Sequence, residues 1–239
     1  MSSNECTAHI QKPDITPYIN TGPEFLTPEQ KRRRELYIRV CDITIASSAL
    51  FLLSPLMAAI ATGIAIESKL TQQEDAPILH TKPSRTKGSR IFTMYKFRSM
   101  RPKEGHSSLD LFSQPPDKNQ DRVTRIGGFL RRYSLDELPQ LWNVIKGEMS
   151  LVGPRTEDPD EMNFITDSFL RDNIASLRFG RRPGLTGHQQ IDPMVGRKNG
   201  TVDEHAMVDI QHPNPPTLRE YFGVLLKTIP AVIRGTGAW

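Results

Sequence analysis

The fold of this chain depends first on one apolar stretch, ITIASSALFLLSPLMAAIATGIAI, at residues 43–66. It contains no charged residue, whereas charged residues make up 24% of the 239-residue chain. A helix of this length reaches across the hydrocarbon core of a bilayer, which needs about 20 residues. Three interpretations are open at this point: a helix buried in a soluble core, a simple membrane span, and a re-entrant helix that enters and leaves by the same membrane face.

Two residues in the middle of the stretch, Ser54 and Pro55, predict a kink or a break in this helix. Proline removes a helical hydrogen bond and clashes with the preceding turn. The hydroxyl of Ser54 is placed to satisfy the carbonyl that is freed. A kinked span and a re-entrant hairpin both fit this pair, so the local pattern does not separate them.

The flanking residues divide the chain into three parts. Residues 1–30 are polar and proline-containing, which predicts a flexible tail. Residues 31–70 hold the basic cluster Lys31–Arg34 and the apolar helix. In a simple span, that cluster would keep the N-terminus in the cytoplasm and leave the rest of the chain outside. Residues 71–239 are expected to form the main folded domain.

Composition narrows the class of partner. The net charge of +4 favours an anionic partner, such as a nucleic acid, an anionic lipid or a phosphorylated substrate. We expect no nucleic acid, because no set of basic strands with interleaved aromatic residues is present and the apolar stretch would be unexplained. Two cysteines imply no disulfide framework. The histidines show no spacing typical of a transition-metal site, and neither GxxxxGK[ST] nor GxGxxG occurs.

The main domain is predicted to be mostly helical with a small β element, an α+β arrangement. IFTMYKFRSM (residues 91–100) is typical of a strand, on which Lys96 and Arg98 would share a face about 7 Å apart. Helices are predicted from Val123, across residues 138–147 and over 161–180. A C-terminal helix carries one apolar face, for which core packing is the commoner fate and the membrane surface the alternative. That face comprises Leu218, Tyr221, Phe222, Leu225, Ile229, Val232 and Ile233.

The strongest candidate for chemistry is the carboxylate pair in YSLDELPQLWNVIKGEMSLVGPR (residues 133–155). Ser134 and Glu137 have the spacing of a capping box. Pro139 instead favours a helix that starts after the pair. Either way Asp136 and Glu137 lie at a helix N-terminus, where the dipole favours negative charge. A capping role and a reactive role are equally compatible with this spacing.

Basic residues favour the reactive role, because many of them flank the predicted turns and element ends. They are Lys96, Arg98, Arg131, Arg132, Arg155, Arg181 and Arg182. Arginine binds phosphate through two parallel hydrogen bonds. A carboxylate pair among such cations suits phosphoryl transfer, in which one carboxylate attacks or holds Mg²⁺.

From about Lys31 to the C-terminus, the chain resembles the bacterial sugar transferase family, the monotopic polyprenol-phosphate phosphoglycosyl transferases. The motifs that carry the resemblance are the basic cluster with Ser54-Pro55, MYKFRSM (94–100), RVTRIGGFLRRYSLDELPQLWNVIKGEMSLVGPR (122–155), RPGLTG (182–187) and LLKTIPAVIRGTGA near the end. The resemblance implies transfer of a phosphosugar from a UDP-sugar to polyprenol (undecaprenyl) phosphate with release of UMP. Residues 71–239 would then be the catalytic domain.

The resemblance also implies roles for individual residues. Asp136 matches the family's nucleophile, which forms a covalent phosphosugar intermediate, and Glu137 matches the second member of the dyad, with Mg²⁺ held at the pair. The matching phosphate-binding cations are Lys96, Arg98, Arg131, Arg155 and Arg182. Ser54 and Pro55 match the break of a re-entrant helix, which implies a monotopic protein on the cytoplasmic face of the bacterial inner membrane. The lipid bilayer is then a partner, and downstream glycosyltransferases are candidate partners.

A protein of another class would also fit some of these features. A non-catalytic, membrane-anchored protein that binds phosphate or nucleotides would explain the basic cluster and the apolar anchor. It would not need a nucleophile beside an acid, so the intact Asp136-Glu137 pair favours the enzyme.

Overall fold

The computed structural model describes residues 26–71, 76–101, 122–156, 180–191 and 215–234. Most of the predicted tail and nearly all of the predicted helix at 161–180 lie outside the described residues. The helices are α1 (Pro28–Leu70), α2 (Arg125–Arg132), α3 (Gln140–Lys146), α4 (His188–Ile191) and α5 (Leu218–Ile233). The strands are β1 (Leu79–Arg85), β2 (Ile91–Phe97), β3 (Ser150–Val152) and β4 (Gly184–Thr186). The described chain is thus mostly helical with a small β element, as predicted.

Helix α1 is continuous over 43 residues, from a capping box at Thr27 to Leu70. Pro55 lies inside it and cannot donate to the carbonyl of Phe51, four residues earlier. The hydroxyl of Ser54 donates to that carbonyl instead, at 2.8 Å. The predicted role of the Ser54 hydroxyl is therefore confirmed. The predicted break in the helix is not confirmed, because the helix continues through Pro55.

Most of the apolar surface of α1 is exposed. The helix is long and apolar enough to cross a membrane, and only 11% of its most apolar 18-residue window is buried. Phe51 and Leu52 near its middle are 80% and 73% exposed. A helix in the core of a soluble protein would bury such side chains, so this exposure argues against that interpretation.

A buried carboxylate attaches the N-terminal half of α1 to the rest of the domain. Asp42 is 1% exposed, and its Oδ1 accepts three hydrogen bonds. They come from the backbone N–H of Leu151 at 2.9 Å, the hydroxyl of Ser150 at 3.1 Å and the hydroxyl of Tyr221 at 2.8 Å. Burial raises the pKa of Asp42, and the three donors counteract that rise. One side chain thus joins α1, β3 and α5.

The C-terminal half of α1 packs on the same domain. Ile60 and Ile64 are buried against Phe97 and Leu130. Beyond them, the carboxylate of Glu67 accepts from the backbone N–H groups at the start of α2, at 2.8 Å and 3.4 Å. The two ends of the apolar stretch are therefore fixed to one body.

Strand β2 contributes to both contacts. It pairs with β1 in an antiparallel hairpin, closed by a 3₁₀ turn at Lys87–Ser89. Phe92 and Met94 belong to the cluster that covers the N-terminal half of α1, whereas Phe97 packs against its C-terminal half. Strand β2 thus contributes to both apolar clusters, whereas α1 itself packs mainly on α3.

Two of the sequence motifs meet as the parallel pair β3–β4. The N–H of Gly153 donates to the carbonyl of Thr186 at 2.9 Å, and the N–H of Gly184 donates to the carbonyl of Pro154 at 2.7 Å. A Cβ on Gly184 would lie 2.2 Å from the nitrogen of Gly153. The glycines of the GPR and RPGLTG motifs are required because their backbones touch.

The C-terminal helix differs from its prediction. Tyr221 and Val224 are buried, and Tyr221 reaches Asp42. Several members of the predicted apolar face are instead exposed, since they lie on the side of α5 that faces away from the core. These are Leu218, Phe222, Ile229 and Ile233. The apolar surface of α5 is therefore divided between the core and an exposed stripe.

The Asp42 contact predicts a hierarchy of stabilities. Asp42→Ala leaves three buried donors without an acceptor, which should cost roughly 3 kcal/mol or more. Tyr221→Phe removes only one donor together with its hydrogen bond, so its cost should be about 1 kcal/mol. Thermal unfolding in detergent should give the order wild type, Tyr221→Phe, Asp42→Ala. An Asp42→Ala protein as stable as the wild type would contradict the assigned role.

Candidate active site

The carboxylate pair lies in a tight turn immediately before helix α3. Leu135–Glu137 forms a 3₁₀ turn, and α3 begins after Pro139. Ser134 adopts the left-handed conformation, with φ 54°, and makes no side-chain capping bond. The capping-box interpretation is therefore wrong, and the alternative based on Pro139 is confirmed in placing both carboxylates before the helix.

Both carboxylates are buried. Asp136 is 5% exposed and Glu137 is 8% exposed. Burial, together with the negative charge of Glu137, raises the pKa of Asp136 to about 6, although Lys96 and Arg131 act in the opposite direction. Within the described part of the chain, Oδ1 of Asp136 has no hydrogen-bond partner. A desolvated carboxylate oxygen without a donor is a stronger nucleophile than one held in hydrogen bonds.

Two of the predicted cations lie at this pair. The ammonium of Lys96, on β2, is 3.0 Å from Oε1 of Glu137. Arg131, at the end of α2, is close enough to Asp136 for the two charges to affect each other. Burial lowers the pKa of Arg131, and the carboxylate of Asp136 raises it. The site thus combines two buried negative charges with two cations from different elements.

Arg98 does not share this environment. Arg98 directly follows Phe97, the last residue of β2, and its backbone N–H donates to the carbonyl of Ile78 at 2.8 Å. Its side chain is 7% exposed and donates to the hydroxyl of Ser68, close to Glu67. Its Nε and Nη1 make no hydrogen bond within the described residues. A role for Arg98 in binding phosphate stays a prediction, and its observed contact is with the end of α1.

The two remaining arginines lie in the paired motifs. Arg155 follows the turn after β3 and is half-buried. The Nε of Arg182 donates to the carbonyl of Gly147 at 3.0 Å, at the C-terminal end of α3. The carboxylates lie at the other end of that helix, roughly 10 Å away by the helical rise. Contact of either arginine with a substrate phosphate stays a prediction.

An open cleft lies at the Arg182 end of α3. Its volume is about 690 Å³, counting its wide mouth, and its lining includes Lys87, Arg181 and Arg182. Neither carboxylate of the pair lines it. The cleft and the carboxylate pair are therefore separate features of the described surface.

Glu67 is a site-supporting residue that the sequence motifs do not reveal. Its carboxylate binds the N-terminus of α2, the helix whose last turn carries Arg131. It thereby connects the end of the apolar stretch to a cation of the site. The only signal in the sequence is that Glu67 is the first charged residue after residues 43–66.

The carboxylate pair fits a divalent cation such as Mg²⁺. Mg²⁺ prefers oxygen ligands and is commonly held by one or two carboxylates plus substrate phosphates. No described residue donates to Oδ1 of Asp136, so this oxygen is a ligand atom of this type. In the described parts of the chain, no group of three or more histidine, cysteine or acidic side chains could hold a metal without a substrate.

Burial of Asp136 predicts that the site reduces stability at neutral pH. Its folded pKa of about 6 exceeds the value of about 3.9 expected in the unfolded chain, so the native state binds the proton more tightly. Stability is therefore lost as the pH rises from about 4 to about 6, by up to about 3 kcal/mol. Above pH 6, Asp136→Asn should raise the unfolding temperature by the full amount. The increase should become smaller as the pH falls towards 4. Thermal scans at pH 8 and pH 5 check this, and a gain independent of pH would contradict it.

Comparison with known proteins follows the same motifs. The bacterial sugar transferase family profile matches residues 33–235. An undecaprenyl-phosphate glucose phosphotransferase of Komagataeibacter xylinus is 37% identical over 186 residues, which cover 75% of this chain and 33% of that protein. An undecaprenyl-phosphate galactose phosphotransferase of Salmonella typhimurium is 32% identical over an alignment of 263 residues, covering 100% of this chain and 52% of that protein.

A third relative is similar in size to this chain. The exopolysaccharide production protein ExoY of Rhizobium meliloti is 33% identical over 212 residues, which cover 84% of this chain and 87% of that protein. By contrast, the chain spans only about a third to a half of the length of the two phosphotransferases. The matched region contains the carboxylate pair, both cations at the site and the paired glycine motifs. The chain therefore belongs to the bacterial sugar transferase family.

Proposed function

We propose that this protein transfers a phosphosugar from a UDP-sugar to polyprenol phosphate, with release of UMP. The observation that carries the proposal is the buried pair Asp136-Glu137 with Lys96 at 3.0 Å from Glu137. Burying two adjacent carboxylates is costly, and such a cost is typical of a site that uses them. The names of the relatives support undecaprenyl phosphate as the acceptor and a sugar phosphate as the transferred group.

The first step is attack by Asp136 on the donor. A carboxylate oxygen of Asp136 forms a bond to the β-phosphorus of the UDP-sugar, and the bond from that phosphorus to the bridging oxygen breaks. UMP leaves with the electron pair, and the phosphosugar is held on Asp136 as an acyl phosphate. The choice of Asp136 is supported by its Oδ1, to which no residue in the described ranges donates, so its lone pairs are available.

The second step returns the enzyme to its starting state. A phosphate oxygen of the polyprenol phosphate attacks the same phosphorus, and the bond to Asp136 breaks. The product is a polyprenol diphosphate sugar, and the carboxylate of Asp136 is regenerated. Lys96 and Arg131 are placed to neutralise the phosphate charges in both steps, since their positive charges already act on Asp136.

Mg²⁺ would be held by Asp136 and Glu137 together with donor phosphate oxygens. When bound, it supplies charge neutralisation at the diphosphate. Glu137 would contribute to holding the cation, and the ammonium of Lys96, 3.0 Å from its Oε1, would keep the carboxylate oriented.

We also infer that α1 enters and leaves the membrane by the cytoplasmic face. Asp42 and Glu67 lie on opposite sides of the apolar stretch, yet both are bonded to the same domain. A simple span would separate them by about 30 Å of hydrocarbon and would draw polar groups of the domain into the bilayer. The exposed apolar side chains of α1 and the exposed stripe of α5 are the surfaces suited to lipid.

The proposed nucleophile predicts a covalent intermediate. Wild-type protein incubated with Mg²⁺ and a UDP-sugar radiolabelled in its sugar, without acceptor, should become labelled and release UMP. A separate screen across UDP-sugars with polyprenol phosphate as acceptor should show which donors support continued release of UMP. Asp136→Asn keeps the size of the side chain and loses the nucleophile, so labelling should fall by on the order of 10³-fold or more.

Each outcome of these two experiments decides a different point. Labelled protein from Asp136→Asn would show that another residue is the nucleophile. Wild-type protein that binds a UDP-sugar but releases no UMP with any donor would favour the non-catalytic, membrane-anchored binding protein.

The inferred topology predicts the accessibility of introduced cysteines. Glu29 and Arg101 are exposed residues on either side of the apolar stretch. With Cys6 and Cys41 changed to Ser, Glu29→Cys and Arg101→Cys should both resist a membrane-impermeant maleimide in intact spheroplasts. Both should react after permeabilisation. Labelling of Arg101→Cys alone in intact spheroplasts would show a simple span.

A further inference from the structure

Asn143 is a fully buried polar residue of helix α3 that plays no part in the chemistry described above. Its side-chain Oδ1 accepts from the backbone N–H of Tyr95 at 3.2 Å. Its Nδ2 donates to the backbone carbonyl of Thr93 at 2.7 Å and to Oε2 of Glu148, also at 2.7 Å. The amide oxygen faces an N–H donor, and the amide nitrogen faces two oxygen acceptors. Only one orientation of the amide therefore satisfies every partner.

The two backbone partners lie on the edge of β2 that faces away from β1. Thr93 and Tyr95 are two residues apart on one strand, and their partners in β1 are Pro83 and Thr81. Pro83 has no N–H to donate. This fits a position at which the backbone N–H and carbonyl of Thr93 point away from β1. The side-chain amide of Asn143 thus binds the open edge of β2 as a peptide group of a neighbouring strand would.

This contact is adjacent to the reactive pair at both of its ends. Tyr95 directly precedes Lys96, whose ammonium is 3.0 Å from Glu137. Glu137 lies in the turn just before α3, the helix that carries Asn143. Two links therefore join β2 to this segment: the amide of Asn143 at the backbone and the ammonium of Lys96 at the carboxylate.

Glu148 holds the amide in place from the other side. Its Oε2 accepts from Asn143, and its Oε1 is 2.7 Å from the ammonium of Lys146. That ammonium also lies 5.8 Å from the ring centre of Tyr95. The position of Asn143 is therefore fixed by contacts with both α3 and β2, and the amide has little freedom to move along the strand.

We propose that Asn143 is a positioning residue for phosphosugar transfer, which closes the edge of β2 and so holds Lys96 opposite Glu137. The inference rests on the proposed function, because Lys96 and Glu137 are assigned to that reaction. Asn143 touches neither carboxylate in this arrangement, and it acts through the strand. Loss of the amide would let Lys96 move relative to Glu137, and displacements of about 1 Å at such a site cost on the order of 10²-fold in rate.

The test combines a double-mutant cycle with a matched control. Asn143→Ala should slow formation of the labelled intermediate by about 10- to 100-fold. In a Lys96→Met background, the same change should slow it by less than about threefold, because the group that Asn143 positions is already gone. Val144→Ala is the control: Val144 is equally buried on the same helix but contributes no side-chain hydrogen bond. The rate loss caused by Val144→Ala should be the same with and without Lys96→Met, so that the two rate losses multiply.

A second measurement does not depend on activity. A carbodiimide joins a carboxylate to an amine that touches it, so wild-type protein should give a Lys96–Glu137 crosslink detectable by mass spectrometry. The yield should fall at least severalfold in Asn143→Ala and stay unchanged in Val144→Ala. If Asn143→Ala is not recovered folded, Asn143→Ser, which keeps one hydrogen-bonding group, replaces it in both measurements.

The outcomes separate the inference from the function on which it rests. An unchanged crosslink in the Asn143 variants, or a rate loss that simply multiplies with that of Lys96→Met, would overturn the positioning role. A lost crosslink with a normal rate would also overturn it. If wild-type protein forms the crosslink but releases no UMP from any donor, the proposed transfer reaction fails, and with it the role of Asn143 in that reaction.

Discussion

The buried carboxylate of Asp42 is the contact on which the arrangement of this protein depends. It lies one residue before the apolar stretch, and three donors from β3 and α5 converge on one of its oxygens. An apolar helix has no directional preference among apolar surfaces. A buried carboxylate does have a directional preference, because any other placement of the helix would leave the carboxylate without its hydrogen-bond donors. Asp42 therefore supplies the register that the apolar side chains of α1 lack.

With α1 fixed at one end by Asp42 and at the other by Glu67, the pair Asp136-Glu137 obtains a defined position relative to the apolar surface. Glu67 binds the start of α2, and α2 leads through Arg131 into the turn that holds Asp136. The cost of burying the pair is met by packing elsewhere in the domain. A site that lowers the stability of its own fold is expected where the reaction needs a desolvated carboxylate.

The elements closest to the site were the most predictable from sequence. Pro139 marks the start of α3 and Gly147 marks its end, and both follow local preferences that do not depend on the rest of the fold. Gly147 has φ 83°, a conformation that favours glycine. The strand at β2 was also predicted, apart from its end. The shared face of Lys96 and Arg98 stays a prediction, because Arg98 comes directly after the last residue of β2. Alternation along a strand is a local rule, and it gives no direction for a side chain beyond the end of the strand.

Other features depend on partners that are remote in sequence. Asp42 reads as the last polar residue before the apolar stretch, and its donor Tyr221 is 179 residues away. The apolar face of α5 was predicted as one surface because periodicity cannot tell which of its side chains meet the core. Asn143 reads as a weak helix former, and nothing near it shows that its amide faces a strand. Residues that act by joining distant elements carry no local signature.

The closure of β2 by a side chain rather than by a strand has a consequence for biosynthesis. Tyr95 and Asn143 are 48 residues apart, so the β1–β2 hairpin leaves the ribosome well before the helix that covers it. During that interval, the outer edge of β2 presents unpaired backbone groups that a second nascent chain could bind. At high rates of synthesis, this protein is therefore most vulnerable to aggregation before α3 is complete.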